Sequence, residues 1–596
     1  MLPKIPDEPL DGDFWRPTTA SLELARYPIL SSTYARAYPY EAIKSYYEQA
    51  REICKAHALS LEDVLTLSPK FWKLHAHPVV PRMSGAFTLI GSQYNLVVGT
   101  IAPYAKRRPE LLPLLQRLIA FEASGIYMLT ELGHGLDARN LQTVATLLPD
   151  GGFDLHTPTP DAAKTMPVAT PISSMEKIAV VFARLQIGGK DEGIRGFIVT
   201  LNNGKNMAPG ITAKLLPNRA GSHYLDHSIT TFNHVYLSKE ALLGDLTRKP
   251  TTDEQEEFSN LIWRVPIGTL SLSMSCIPVL KASSWIAARY AMKRTVGGDT
   301  SSSSSSSATA NASMKASVQQ NNGISIIKFR TQQIPICHAL AEGAVVAEFA
   351  AWSVNRFVES ANGVDNRLRH AHAMLFKTVA IGHALASTRI LAQEIGWRGL
   401  FEDNQIISFE LETRGAKIAE GDITVLCIRL ASDILYKKIT LPAPRDPSTL
   451  LAQHENILVW EAHSLLLKCN GNFRSPEANR HLLPRCQTLV EAIGHRMAYE
   501  AAAAADVNPL LLKLYEVGAV KSDLACYVEH GLVSRSEVSA IEDSCVTELM
   551  EGKIWELLAD MDEEIGAFCD APILSDKRWK EFLETLNTFG GKEVVA

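Results

Sequence analysis

Strand-like patterning is confined to one island of this chain, with long helical periodicity on either side, so a parallel sheet wound by alternating strands and helices is excluded at the outset. From about 41 to 123 apolar residues recur at helical spacing, in 40–54 and again in 111–121 after Pro109. Between about 125 and 245 short apolar runs bounded by turn residues take over. Residues 144–148, the turn Pro149-Asp150-Gly151-Gly152 and residues 153–155 read as a hairpin; 177–185, 196–201 and 229–237 read as further strands. Beyond Leu242, Ala/Leu-rich stretches at three- and four-residue spacing cover 285–294, 326–357, 368–395 and 418–436. Pro442 to Pro447 mark a break, and helical patterning returns over 457–586. The fold class is therefore α+β, mostly α. Four units are expected: a helical domain over 1–124, a β domain over 125–245, a helical domain over 246–440 and a C-terminal helical domain over 441–596. An unbroken serine run, 301–307, lies in 297–322, which cannot bury enough apolar area to offset its ordering entropy and is expected to be a disordered loop between two helices.

Composition narrows the function classes. With 59 Lys+Arg against 65 Asp+Glu in 596 residues the net charge is −6, which offers no basic field for nucleic acid. Apolar runs such as 178–182 fall far short of the roughly 18 residues of a membrane span. Nine cysteines without a Cys-x-x-Cys pair fit reduced core thiols better than a disulfide framework or a zinc site. The N-terminus has prolines and acids where a secretory signal would be apolar, and the C-terminus lacks a Ser-Lys-Leu ending. A soluble, cytoplasmic protein is expected, with peroxisomal import alongside a partner as the alternative. No Gly-x-Gly-x-x-Gly follows a strand, and neither a P-loop nor a Gly-x-Ser-x-Gly elbow occurs. The pairs His370/His372 and His223/His227 lack a second cluster at metal-ligand spacing, so no metal site is expected.

The segment Tyr127-Met128-Leu129-Thr130-Glu131-Leu132-Gly133-His134-Gly135, followed by Arg139-Asn140-Leu141-Gln142-Thr143-Val144-Ala145-Thr146, resembles the flavin-loop signature of the acyl-CoA oxidases, within the acyl-CoA dehydrogenase superfamily. Further matches follow in the family's order: 286–294 ending in Arg294, Phe329-Arg330-Thr331-Gln332-Gln333, Gln393-Glu394-Ile395-Gly396-Trp397-Arg398-Gly399, and Ala419-Glu420-Gly421-Asp422. The resemblance covers most of 40–436. It implies an N-terminal helical domain, a central β domain, a four-helix bundle over 246–440 and an extra C-terminal helical domain that separates oxidases from dehydrogenases. It further implies bound FAD, an acyl-CoA substrate, O2 as electron acceptor and a homodimer sharing its flavins.

Residue by residue, the resemblance places Thr130, Gly133, Thr165 and Met166 at the flavin ring, with the glycines at 133 and 135 permitting backbone approach. Arg294 matches the arginine that reaches the pyrophosphate, a task suited to a guanidinium fork. Gln332 or Gln333, Gln393 and Gly396 fall where the family touches the cofactor across the dimer. Glu420 stands where the oxidases carry the glutamate that removes the α-proton of the thioester, and Gly421 lets the backbone lie against the substrate. Taken singly, Thr130 fits a β turn, Arg294 a helix-end dipole partner and Glu420 a solvated residue on an amphipathic helix. The chain also departs from the pattern. Thr165-Met166-Pro167-Val168-Ala169-Thr170 keeps the proline but not the two tryptophans that usually wall the flavin, and Trp397 stands in place of a glycine. Methionine can still pack against an aromatic ring. The expected activity is conversion of an acyl-CoA to the trans-2-enoyl-CoA with formation of H2O2. The alternatives are a flavoenzyme of the same fold, a desaturase or oxygenase, acting on a specialised metabolite, and a scaffold that has lost flavin.

Overall fold

A computed structural model describes residues 12, 15–16, 39–217, 219–220, 225–247, 254–297, 323–359 and 366–589. The chain enters through the helix Pro39–His57, followed by Leu61–Thr66 and Pro69–His75. Serines begin both short helices: Ser60 and Asp63 form a capping box, and Ser68 caps a helix with Pro69 at its first position. Each satisfies N–H groups that a helix start leaves without partners.

The strands are β1 (Ser124–Met128), β2 (Val144–Leu147), β3 (Phe153–His156), β4 (Lys164–Thr165), β5 (Glu176–Ile187), β6 (Lys190–Asn203), β7 (Ile211–Leu215), β8 (Ser228–Phe232), β9 (Val235–Leu237) and β10 (Leu242–Leu243). Seven form one sheet in the order β10-β6-β5-β2-β3-β9 with β1 also beside β5, and β4-β8-β7 form a second. The hub is β5. Along one edge it runs parallel to β1 and then to β2, and along the other it pairs antiparallel with β6. Residues 177–183 are all buried, which is why this strand reads as a continuous apolar run and not as an alternation. The hairpin legible at 144–155 is present as β2 and β3, turning through Gly151 in the left-handed region (φ +87°) that glycine tolerates. The run 229–237 is not one strand. A left-handed residue, His234 (φ +53°), divides it into β8 and β9, which belong to different sheets.

One buried ion pair ties the first helix to the sheet. The Lys177 ammonium lies 2.8 Å from Asp226 Oδ2 and donates to the Val168 carbonyl (2.7 Å) and to the Tyr47 hydroxyl. Asp226 also accepts from Tyr47 and Thr170, at 2.7 Å each. Burial pulls the Lys177 pKa down while Asp226 pushes it back up. Removing the carboxylate leaves an uncompensated ammonium in the core. Asp226→Ala is therefore expected to cost about 3 kcal/mol, read as a lower urea midpoint.

Past the sheet the chain is helical: Arg264–Ser273, Cys276–Lys293, Arg330–Glu359, Asn366–Glu394, Ile406–Ile418 and Ile423–Leu435 pack on one another as a bundle. Two stretches, Arg264–Lys293 and Arg330–Glu359, are long and apolar enough to cross a membrane, but 72% of each apolar window is buried inside the protein, so they are core helices. Leu450–Lys468, Cys486–Ala504 and Pro509–Ser522 continue the helical packing, the latter two against Arg330–Glu359. The stretch 418–436 is not one continuous helix. It stops at Ile418 and restarts at Ile423, where the Asp422 carboxylate caps the N–H groups of Thr424 and Val425. The serine run lies outside the described residues. The chain flanking it, Thr295–Val296 and Ile324–Ser325, pairs as a short antiparallel ribbon. The histidine at 223 is likewise outside the described residues.

Candidate active site

The break in the helical run makes the site. At Glu420 the backbone is left-handed (φ +53°), uncommon for a residue with a side chain, and Gly421 follows at φ +102°. The turn is held from both sides: the Lys377 ammonium donates to the Gly421 carbonyl (2.7 Å) and the Ala419 carbonyl (2.5 Å), and the Thr269 hydroxyl donates to the Glu420 carbonyl (2.7 Å). Among the described residues the Glu420 N–H has no hydrogen-bond partner. The turn aims the carboxylate at Gly268, where a Cβ would lie 1.3 Å from Oε2. The absence of a side chain at 268 is what admits it.

Although Glu420 is partly exposed as a residue, Oε2 is shut from solvent and has no hydrogen-bond partner. Burial raises its pKa from 4.5 to about 8, offset in part by Lys377 and Arg264. The same burial lowers Lys377 to about 8 and Arg264 to about 9. The Tyr127 hydroxyl on β1 is also buried without a partner, and its pKa is raised by burial and then by Glu420. A carboxyl poised near neutrality beside fixed cations can take up and release a proton at physiological pH.

The structure gathers the other residues singled out in the sequence into two groups. In the first, the Thr165 N–H donates to the Thr130 carbonyl (3.1 Å) and the Gly133 N–H to the Asp161 carbonyl (2.9 Å), so Thr130, Gly133, Thr165 and Met166 share one loop cluster. A fully buried ion pair, Lys164 to Glu131 at 3.0 Å, pins its two arms together. Met166 is 49% exposed with a left-handed backbone (φ +73°), and its carbonyl meets the His227 ring, whose Nε2 is buried without a partner. Gly133 is required by close packing, since a Cβ there would lie 2.8 Å from the Asp161 side chain; Gly135 has open space around it.

In the second group, Gln332 bonds the Glu394 carboxylate (2.6 Å) and so joins the start of Arg330–Glu359 to the end of Asn366–Glu394. Gln333 donates to the Ile327 carbonyl (3.0 Å), and both amides are thus engaged within the chain. Arg294 caps Cys276–Lys293 with its side chain exposed, and Gln393, Gly396 (φ +76°) and Trp397 (74% exposed) are also at the surface. Lys377 and Arg264 are not singled out from the sequence, and Tyr127 enters there only as the first residue of the flavin-loop segment. The signal for the first two was a lone cation on the buried face of an apolar helical run. Among the described residues, the possible metal ligands His454, Asp523 and Cys526 converge within 4.8 Å of one another. A His454–Asp523 hydrogen bond of 2.9 Å and stacking of His454 on Tyr527 account for that grouping as packing between helices.

No protein-family model matches the chain. Over 370 residues, 58% of the chain, it is 24% identical to the peroxisomal acyl-coenzyme A oxidase 2 of Arabidopsis thaliana and spans half of that protein's length. Among solved structures it superposes on acyl-CoA oxidase 1 of Yarrowia lipolytica with a TM-score of 0.78 at 17% identity, over 98% of this chain and 92% of the other. It likewise superposes on Caenorhabditis elegans acyl-CoA oxidase-2 bound with FAD, ascaroside-CoA and ATP, with a TM-score of 0.68 at 17% identity over 93% and 86%. The chain is a divergent relative of the acyl-CoA oxidases and has their fold.

Proposed function

We propose that the chain is an FAD-dependent, acyl-CoA oxidase-like oxidoreductase that converts an acyl-CoA and O2 to the trans-2-enoyl-CoA and H2O2, with Glu420 as the α-proton base. The observation that carries this reading is the Glu420 carboxylate, held in a strained turn, buried, and raised to about 8. The α-proton of a thioester is too weakly acidic for a carboxylate in water. Burial raises the basicity of Glu420, and the unpartnered Glu420 N–H offers a donor to the thioester oxygen as negative charge develops there. Lys377 and Thr269 fix the backbone of the turn, and with it the direction of that N–H, so the donor is in place before proton transfer.

The residues present suit a flavin. Met166 offers an exposed apolar side chain beside the partnerless His227 Nε2, Thr130 and Thr165 offer hydroxyls, and Arg294 is an exposed guanidinium without an ion pair to a described residue. These and Gly133 would hold the ring and pyrophosphate, and Gln332, Gln333, Gln393 and Gly396 would border the cofactor of a partner subunit in a homodimer. When bound, FAD would accept the β-hydride of the substrate and pass the electron pair to O2. The C. elegans oxidase with FAD and ascaroside-CoA supports both cofactor and substrate class, and the peroxisomal location in the Arabidopsis relative's name supports the same address here over a cytoplasmic one. The test is spectroscopic. Purified protein should carry flavin absorbance that an acyl-CoA bleaches anaerobically, with H2O2 appearing when O2 is readmitted; no bound flavin after reconstitution with FAD would overturn the reading.

The pH dependence follows from the sign of the shift. A carboxyl raised to about 8 is protonated, and idle as a base, below that value. The kcat/KM for flavin reduction is expected to rise about tenfold per pH unit from 5.5 towards 7.5 and to level off above about pH 8.5. A profile already flat at pH 6 would show that the working base has an ordinary carboxylate pKa.

A further inference from the structure

The surroundings of Glu420 hold more polar atoms than proton abstraction needs. Arg264 is fully buried; its Nε donates to the Asn95 carbonyl (2.8 Å) and Nη1 to the Val64 carbonyl (3.1 Å), while Nη2 has no acceptor. Among the described residues no carboxylate oxygen lies within 4.0 Å of it. The rings of Trp263 (4.7 Å) and Phe71 (5.8 Å) offset only part of that burial. Asn95 returns a hydrogen bond from Nδ2 to the Arg264 carbonyl (3.0 Å), which leaves its Oδ1 buried without a partner, as is the Tyr127 hydroxyl.

Arg264 and Tyr127 both lie within electrostatic reach of Glu420, and Asn95 is bonded to Arg264. Arg264 and Gly268 are four residues apart in the helix Arg264–Ser273 and so share a face, and Gly268 is where the Glu420 carboxylate rests. A guanidinium fixed by two backbone carbonyls, with its remaining nitrogen unpartnered and its residue one turn from the glycine that receives the Glu420 carboxylate, is a preformed donor for an oxygen acceptor. An unbranched hydrocarbon chain would leave this nitrogen, the Tyr127 hydroxyl and the Asn95 oxygen all unsatisfied, and a pocket built for such a chain would be lined by apolar groups instead.

We propose that Arg264 and Tyr127 read an oxygen function on the acyl part of the substrate, which makes the preferred substrate an acyl-CoA bearing an oxo or carboxylate group a few carbons beyond the thioester. This rests on Glu420 being the base for an acyl thioester. Asn95 positions the guanidinium, and its Oδ1 accepts where the substrate group carries a hydroxyl. The selectivity is one of binding: a straight-chain thioester enters with the site's donors unpaired and is rejected by the cost of leaving them so.

The holoenzyme is titrated anaerobically with straight-chain acyl-CoAs and with oxo- and dicarboxylyl-CoAs of matched length, following flavin bleaching. The oxygenated members are expected to reduce the flavin with a kcat/KM at least about 30-fold above their straight-chain counterparts. Arg264→Gln is expected to shrink that ratio to within a few-fold, mainly through KM, and Tyr127→Phe, which removes one hydroxyl without changing packing, to shrink it by about fivefold even where the arginine variant does not fold. Equal or better reduction by the straight-chain thioesters overturns the inference and leaves Glu420 as the base. Bleaching by none of them overturns both.

Discussion

Glu420→Gln is expected to bind flavin as the unaltered chain does and to lose its reduction by acyl-CoA by roughly 10⁴-fold. The substitution keeps the shape of the side chain and removes the basic oxygen. It should not unfold the turn, because the forces that hold it act on the backbone: Lys377 bonds the carbonyls of 419 and 421, and Thr269 bonds that of 420. Nor does the fold depend on the charge of Glu420. Burial raises the carboxyl to about 8, so at pH 7 the neutral form, which glutamine mimics, already predominates. Loss of reduction with intact flavin absorbance and an unchanged melting temperature therefore isolates proton abstraction. Reduction within tenfold of the unaltered rate would remove Glu420 from the chemistry, and loss of flavin would assign it to the cofactor pocket.

What the sequence makes legible follows physical range. The hairpin at 144–155 is local: its turn residues and alternating apolar positions suffice, and the left-handed Gly151 sits where the turn needs it. The hub role of β5 is not local. Its long buried run marks a strand covered on both faces, but nothing within it says that β1 and β2 lie parallel along one edge. Glu420 is singled out as a candidate by its place among motifs, whereas its conformation is hidden because apolar spacing runs through 418–436 without interruption. The Gly421-Asp422 pair, a backbone hinge followed by a helix cap, was the available sign that the helix restarts. Lys377 and Arg264 illustrate the other limit. Each is one cation among apolar residues, and its meaning depends on a turn some 40 or 150 residues away that brings carbonyls and a carboxylate to it. The orphan atoms of Tyr127 and Asn95 become visible only once every neighbour is in place.

Gly268→Ala is expected to keep the fold and the flavin while lowering acyl-CoA reduction by roughly 10³-fold. A Cβ at 268 would lie 1.3 Å from Glu420 Oε2, so the two cannot coexist as placed. What yields is decided by stiffness: Gly268 is inside a helix, whereas the atom it meets is the far end of a side chain with several rotatable bonds. The carboxylate therefore swings away and the helix stays. Alanine also favours the helix over glycine by up to about 1 kcal/mol, which offsets the local repacking, so thermal stability should be unchanged or slightly higher. Catalysis has no such latitude, because a base displaced by an ångström or more no longer meets the α-proton along the line of transfer. Shortening the base should recover part of the loss. In Gly268→Ala with Glu420→Asp the carboxylate is withdrawn by one methylene, and reduction is expected to return about tenfold above the single alanine variant, although Glu420→Asp alone should slow the reaction. Stopped-flow reduction of the four proteins closes the cycle. A positive coupling between the substitutions places the base against Gly268, and additive losses would mean that Glu420 works from elsewhere.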